Sequence, residues 1–186
     1  EYHGLIQTLR NLGYTDNSTL FVFAYDWRKK LNDLADTLNT YITTNIPLGK
    51  VNIVGHSLGG LVGRIYAQKY GTGRINKLVS VGSPHQGVPQ VYKAFAGGEF
   101  HRDNSLEWLA MKLIFVLNRS GSHTNRNVIA DKLPVTQDLL PIYNYLVRSD
   151  GTLVDAATMT YKNDTLLTYK NTFADIFPIF QSITGE

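Results

Sequence analysis

The 186-residue sequence contains no cysteine. Disulfides and thiolate metal sites are thereby excluded, and any nucleophile must be something other than a thiol. This absence suits a reducing compartment and a disulfide-free secreted protein equally. A secreted or cell-surface setting is slightly favoured, although Glu1-Tyr2-His3 provides neither the basic start nor the apolar segment of a signal peptide. Long hydrophobic runs are missing as well. None nears the ~20 residues of a membrane-spanning helix. Nor is there a basic stripe. The 18 Lys+Arg against 15 Asp+Glu leave +3 formal charges, and the densest cluster is Arg28-Lys29-Lys30. That pattern argues against a nucleic-acid partner. No metal site is expected, no organic cofactor is implied, and no internal repeat occurs. Sequons at Asn17, Asn118 and Asn163 carry no weight in a chain this rich in Asn and Thr. What is plentiful is apolar side chain, 43% of the total, enough for one globular domain with a sizeable core.

The apolar residues are ordered. Leu5, Ile6, Leu9 and Leu12 share a helical face that Gly13 ends. Leu20 to Tyr25 is a short continuous apolar run, as in a strand covered on both faces. Leu31, Leu34, Ala35, Leu38, Tyr41 and Ile42 have helical spacing, with Pro47 beyond them. A strand follows at 51–54, a helical face of Leu58, Leu61, Val62, Ile65 and Tyr66 closes at Gly71, and a further strand lies at 78–81. This alternation predicts an α/β fold, a parallel sheet with helices on its faces. After Pro89 the rhythm stops. The run from Leu106 to Leu117 is apolar nearly all round, which predicts a helix covered on most sides, either a lid over a site or an ordinary core helix.

One corner carries chemistry. In Val51-Asn52-Ile53-Val54-Gly55-His56-Ser57-Leu58-Gly59-Gly60, a strand meets a helix at Gly-x-Ser-x-Gly. A serine there must take a strained backbone so that its hydroxyl projects from the sheet edge. Bulky residues two positions away on either side would collide, and those positions are Gly55 and Gly59, with Gly60 in addition. The following helix aims its positive end at the serine, and the Leu58 N–H is placed as an oxyanion donor. Ser57 is therefore the expected nucleophile. A phosphate-binding loop is a weak rival, because no Gly-Lys-Ser/Thr is present. Neighbouring residues at a strand end point to opposite faces, so His56 is expected as a packed histidine beneath the elbow and not as the base.

This region resembles the α/β-hydrolase superfamily and, within it, the lecithin:cholesterol acyltransferase-like and lipase branch. Tyr25-Asp26-Trp27-Arg28, Ser83-Pro84-His85-Gln86-Gly87-Val88-Pro89, and Gln137-Asp138-Leu139-Leu140-Pro141 with Tyr143 to Leu146 are similar to segments of that branch. The resemblance implies an α/β-hydrolase with a partial parallel sheet, flanked by helices, and an inserted, mostly helical cap. Residues 1–89 would be the partial core with its nucleophile elbow, 90–178 the cap, and 179–186 a return towards the core. Ser83, Pro84, His85 and Gly87 would lie near the site, with His85 a structural hydrogen-bonding residue. Trp108, Leu109 and Phe115 would line an acyl pocket in the cap, through which the protein could meet a lipid or membrane surface. The resemblance also implies that another strand belongs between 20–25 and 51–54.

A serine nucleophile needs a histidine and an orienting carboxylate, in the chain order serine, acid, histidine. After Ser57 the histidines are His85, His101 and His123. No acid separates Ser57 from His85, and only Glu99 separates it from His101. Asp103 with His123 falls where the cap should be, and Asp26 is expected to pair locally with Arg28. The acid and histidine are therefore expected beyond Glu186, and the second oxyanion donor before Glu1. The sequence points to a serine carboxylester hydrolase or acyltransferase acting on a lipid or other acyl ester. The alternative is a non-catalytic hydrolase-like domain that binds lipid or protein.

Overall fold

A computed structural model describes residues 2–98 and 124–184 of the chain. The run from Leu106 to Leu117, with Trp108, Leu109 and Phe115, lies outside the described residues, as do His101, Asp103 and His123.

The predicted alternation folds into one parallel sheet. Helix α1 spans His3–Asn11 and α2 Leu31–Asn45. Strand β1 (Val51–His56), helix α3 (Leu58–Tyr70) and strand β2 (Ile75–Val81) form a strand-helix-strand unit in which β1 and β2 pair in parallel, Gly55 opposite Ser80 and His56 opposite Val81. The third strand, β3 (Phe180–Ile183), pairs in parallel with the other edge of β2, giving the order β1-β2-β3. Between β2 and β3 come α4 (Val91–Gly97), α5 (Asn125–Lys132), α6 (Val135–Asp138) and α7 (Asp164–Thr168), with short 3₁₀ turns at Ala156–Thr158 and Phe173–Ile176.

Burial follows from the two periodicities. On α2, Leu31, Leu34, Ala35, Leu38 and Ile42 form the stripe that packs against Leu61, Val62, Ile65 and Tyr66 of α3. On β1, Val51, Ile53 and Gly55 face these helices, while Asn52, Val54 and His56 are exposed. Among the described residues the sheet is thus covered on one face only, in contrast to the two-sided cover predicted from the sequence. Val54 and Ile183, each more than half exposed, mark the open face. Helix α1 buries no residue.

The apolar run at 20–25 does not join the sheet. Its one bridge, from Asp16 to Leu20, is local. Phe23 and Tyr25 nonetheless pack on the main core, and Val22 is held by the Tyr41 hydroxyl, which donates to its carbonyl at 3.2 Å. Hydrophobicity brought these side chains in, but no strand among the described residues lies alongside to give the backbone a ladder. Among the described residues β1 is consequently an edge strand.

The stretch after Pro89 divides between two cores. Phe95, Val128, Ile129 and Leu140 make a small cluster with Tyr92 and Tyr161. Leu166 and Ile176, with Tyr169 and Phe173, belong instead to the main core. The segment joining them is fastened by Asp138, which is buried and caps α2. One carboxylate oxygen accepts the Leu31 N–H at 2.8 Å and the other accepts the Thr165 hydroxyl at 2.8 Å, with the Lys30 ammonium 3.7 Å away. Burial pushes this carboxyl above its usual pKa, although Lys30 and the two hydrogen bonds pull the other way. Asn163 completes the fastening, donating to the carbonyls of Asp138 and Leu140 at 2.6 and 2.8 Å.

Candidate active site

Ser57 sits between the last residue of β1 and the first of α3, with φ +52° and ψ −120°. Among the described residues only Asn17 also has positive φ without being glycine. Such a conformation costs on the order of 1–3 kcal/mol and persists only where surrounding structure enforces it. The enforcement is visible. The Ser57 N–H donates to the Val81 carbonyl at 2.9 Å, tying the corner to the end of β2. The Gly60 N–H donates back to the Ser57 carbonyl at 3.2 Å and closes the first turn of α3. Ser57 is exposed, and the unpaired N–H groups of a thirteen-residue helix begin at Leu58 beside it.

The glycines differ in what they permit. A Cβ on Gly55 would lie 2.5 Å from the Gly59 carbonyl carbon and oxygen and 2.6 Å from the Gly60 nitrogen. A Cβ on Gly60 would lie 2.1 Å from the Ser83 hydroxyl and 2.4 Å from that of Ser80. At Gly59 the nearest atom is the Tyr25 hydroxyl, at an ordinary 3.5 Å. The sequence predicts close contact at positions 55 and 59, with 60 in addition; the tight positions are 55 and 60, and 59 has room.

His56 is not packed beneath the elbow, as the sequence suggested. Strand alternation places it on the open face, exposed, where its Nδ1 is 3.2 Å from the Tyr2 hydroxyl. His85 is half-buried, and its Nε2 lies 2.7 Å from the Ser80 hydroxyl. Its ring stacks on Phe173 and meets Phe180 edge-on. Burial, with the positive charge of Arg64 adding to it, lowers the His85 pKa to about 4, so the ring is neutral at physiological pH. Among the described residues no histidine hydrogen-bonds the Ser57 hydroxyl. Asp26 forms a two-pronged pair with Arg28, at 2.7 and 2.8 Å, which holds its carboxyl down to about 2.

The segments singled out in the sequence come together. In the turn after β2, the Val88 N–H donates to the Leu139 carbonyl at 2.8 Å, and the Ile142 N–H donates to the Gln86 carbonyl at 3.0 Å. Gly87, at φ +85°, passes so close to Leu140 that a Cβ would lie 2.3 Å from its carbonyl oxygen. The Ser83 hydroxyl reaches the Val81 carbonyl at 3.3 Å, and Pro84 lies between it and His85. The Arg28 carbonyl accepts the Val135 N–H at 3.0 Å. Sequence reading missed Arg64, which sits in a run of apolar residues on α3 and carries no motif. It is fully buried. A polar cleft of about 260 Å³ is lined by Asp26, Arg28, Lys29, Asp131, Lys132 and Pro134, and no elbow residue contributes to it. Among the described residues no group of three or more His, Asp or Glu is arranged to hold a metal ion. No helix there is long and apolar enough to cross a membrane.

Parallel strands joined by a crossover helix, with a serine at positive φ where strand turns into helix, define the α/β-hydrolase class. More narrowly, the chain belongs to the lecithin:cholesterol acyltransferase family, whose sequence profile matches residues 1–182. It is 26% identical over 184 residues to the human "Lysosomal phospholipase A and acyltransferase", covering 94% of this chain and 40% of that protein. It is 30% identical over 100 residues to "Phospholipase A(1) LCAT3" of Arabidopsis thaliana, covering 47% of this chain and 22% of that protein. The chain thus spans well under half the length of these relatives. Among solved structures, the NocB thioesterase domain in covalent complex with a fluorophosphonate nocardicin G analog aligns over 100% of this chain and 78% of that one, at 16% identity and a TM-score of 0.40.

Proposed function

We propose that this chain carries the nucleophile elbow of a serine-dependent acyl-ester hydrolase or acyltransferase that acts on lipids. The observation that carries the reading is the backbone of Ser57, at φ +52° on an exposed corner directly before α3. A strained serine facing solvent at a helix N-terminus gains nothing for stability and suits nucleophilic attack. In the first half-reaction the Ser57 Oγ attacks the ester carbonyl carbon, and its proton passes to a histidine outside the described residues. The carbonyl oxygen becomes an oxyanion, which accepts a hydrogen bond from the Leu58 N–H in the field of the helix. Collapse of the tetrahedral intermediate expels the alcohol, which takes the proton, and leaves the acyl group on Ser57. In the second, water attacks the acyl-enzyme to release the acid, or an acceptor alcohol attacks to form a new ester. Membership of the family and the activities named for the human and plant relatives support a lipid acyl ester as substrate. Ser83, Pro84, His85 and Gly87 frame the site from the β2 side, and Trp108, Leu109 and Phe115 are proposed to serve the acyl pocket.

The test is labelling of the full-length protein with a serine-directed fluorophosphonate. Covalent modification at Ser57, together with its loss and the loss of ester hydrolysis in Ser57→Ala, is expected. A protein that hydrolyses esters after Ser57→Ala would place the nucleophile elsewhere. A folded wild type that neither labels nor hydrolyses would favour a non-catalytic lipid- or protein-binding domain.

A further inference from the structure

Arg64 is 1% exposed, yet among the described residues no carboxylate pairs with it. Its Nη1 donates to the His85 carbonyl at 2.7 Å and its Nε to the Gln68 side-chain oxygen at 2.9 Å. The guanidinium carbon lies 3.9 Å from the centre of the Phe173 ring. Burial lowers its pKa to about 10, which leaves it charged at neutral pH. Taking a charge out of water is costly, and no opposite charge among the described residues repays it. Its two hydrogen bonds and the Phe173 ring offset part of that cost, and what those bonds connect bears on why an arginine is here.

Those connections run along one stripe of α3. Gly60, Arg64 and Gln68 are spaced by four and share a face. Gly60 lies against the Ser80 and Ser83 hydroxyls. Gln68 donates to the Tyr169 carbonyl at 2.7 Å and to the Thr172 hydroxyl at 2.9 Å. Between them, Arg64 holds the main chain of His85, while the His85 ring is held by Ser80 of β2. The turn that begins after Val81 is thus fixed to the helix at one point and to the strand at another. Val81 also accepts the Ser57 N–H. Any slip of that turn against α3 would reach the corner through this bond.

We propose that Arg64 is a positioning residue for the Ser57 elbow. By gripping the His85 carbonyl, it locks the turn after β2 against the first two turns of α3 and so fixes the Ser57 hydroxyl relative to the Leu58 N–H. This rests on the reading of Ser57 as the nucleophile.

The experiment compares Arg64→Met, Arg64→Lys and Ser80→Ala in the full-length protein. It measures thermal unfolding, the second-order rate of Ser57 labelling by a fluorophosphonate, and kcat and KM on a nitrophenyl acyl ester. Arg64→Met leaves the His85 carbonyl and the Gln68 side-chain oxygen without their donor, so the melting temperature should fall modestly. Labelling and kcat of the folded protein should fall on the order of 10- to 100-fold, as sub-ångström to ångström misplacement does, with KM nearly unchanged. Arg64→Lys should recover part of the rate through a single donor. Ser80→Ala, which frees the His85 ring, should slow labelling by a smaller factor. Wild-type labelling in Arg64→Met would overturn the proposal. If Arg64→Met does not fold, wild-type labelling in both Arg64→Lys and Ser80→Ala would overturn it. A wild-type protein that is folded but unlabelled at Ser57 would instead overturn the serine reading itself, and the positioning role with it.

Discussion

Alanine placed in turn at Gly55, Gly59 and Gly60 separates what the elbow needs from what the pentapeptide pattern suggests. At Gly55 the added methyl would sit 2.5–2.6 Å from main-chain atoms of Gly59 and Gly60, well inside the 3.0 Å that real Cβ contacts respect. Main chain at the start of a helix cannot rotate away, so β1 and α3 must separate by several tenths of an ångström. Overpacking costs about 1–3 kcal/mol, and rigid main-chain obstacles put this case at the upper end. Because the same shift moves Ser57, fluorophosphonate labelling should fall on the order of 100-fold. At Gly60 the obstacles are the Ser83 and Ser80 hydroxyls, at 2.1 and 2.4 Å, which can turn aside, and the Ser83 Cβ at 2.9 Å, which needs only a slight shift of the turn. Turning Ser80 sacrifices its bond to His85, so a loss of about 1–2 kcal/mol is expected. At Gly59 the Tyr25 hydroxyl is in ordinary contact at 3.5 Å and the backbone is not at positive φ. Alanine there offsets its crowding by lowering chain entropy in the unfolded state, and the change should lie within about 0.5 kcal/mol of zero or be slightly stabilising. Urea denaturation midpoints of the full-length variants, read alongside labelling rates, give the order. A Gly59→Ala cost as large as that of Gly55→Ala would refute the steric account, and so would a neutral Gly55→Ala.

Asp138→Ala removes the cap of α2 and strands the Leu31 N–H and the Thr165 hydroxyl, so a loss of about 2–4 kcal/mol is expected. Asp138→Asn, which can still accept from Leu31, should lose about 1 kcal/mol or less; equal losses for the two in chemical denaturation would show that the cap is unimportant. His85 has its folded pKa depressed from 6.5 to about 4, so between those values the unfolded chain holds the extra proton and stability falls as pH falls. His85→Gln should flatten that part of the profile relative to wild type, and an unchanged slope in urea titrations from pH 7 to pH 4 would reject the buried, neutral ring.

Local pattern was enough for some of this. The stripe on α2 and the strand at 51–54 were readable because each period fixes which side chains share a face. The corner at Ser57 was readable because a glycine-flanked serine between such elements leaves the backbone few options. Pairing of Asp26 with Arg28 was readable because two residues of chain bring them together. Tertiary structure decided the rest. The run at 20–25 reads as a strand by composition, but a strand exists only when another backbone lies alongside, and none among the described residues does. His56 lies on the open face because, among the described residues, only one side of the sheet is covered, which no local spacing encodes. Asp138 and Leu31 are 107 residues apart, and Arg64 and His85 are 21 apart. Nothing in either residue's neighbourhood announces its partner. The cost of a buried charge or an unsatisfied helix terminus is set by what surrounds it, and what surrounds these groups was assembled only when the chain folded.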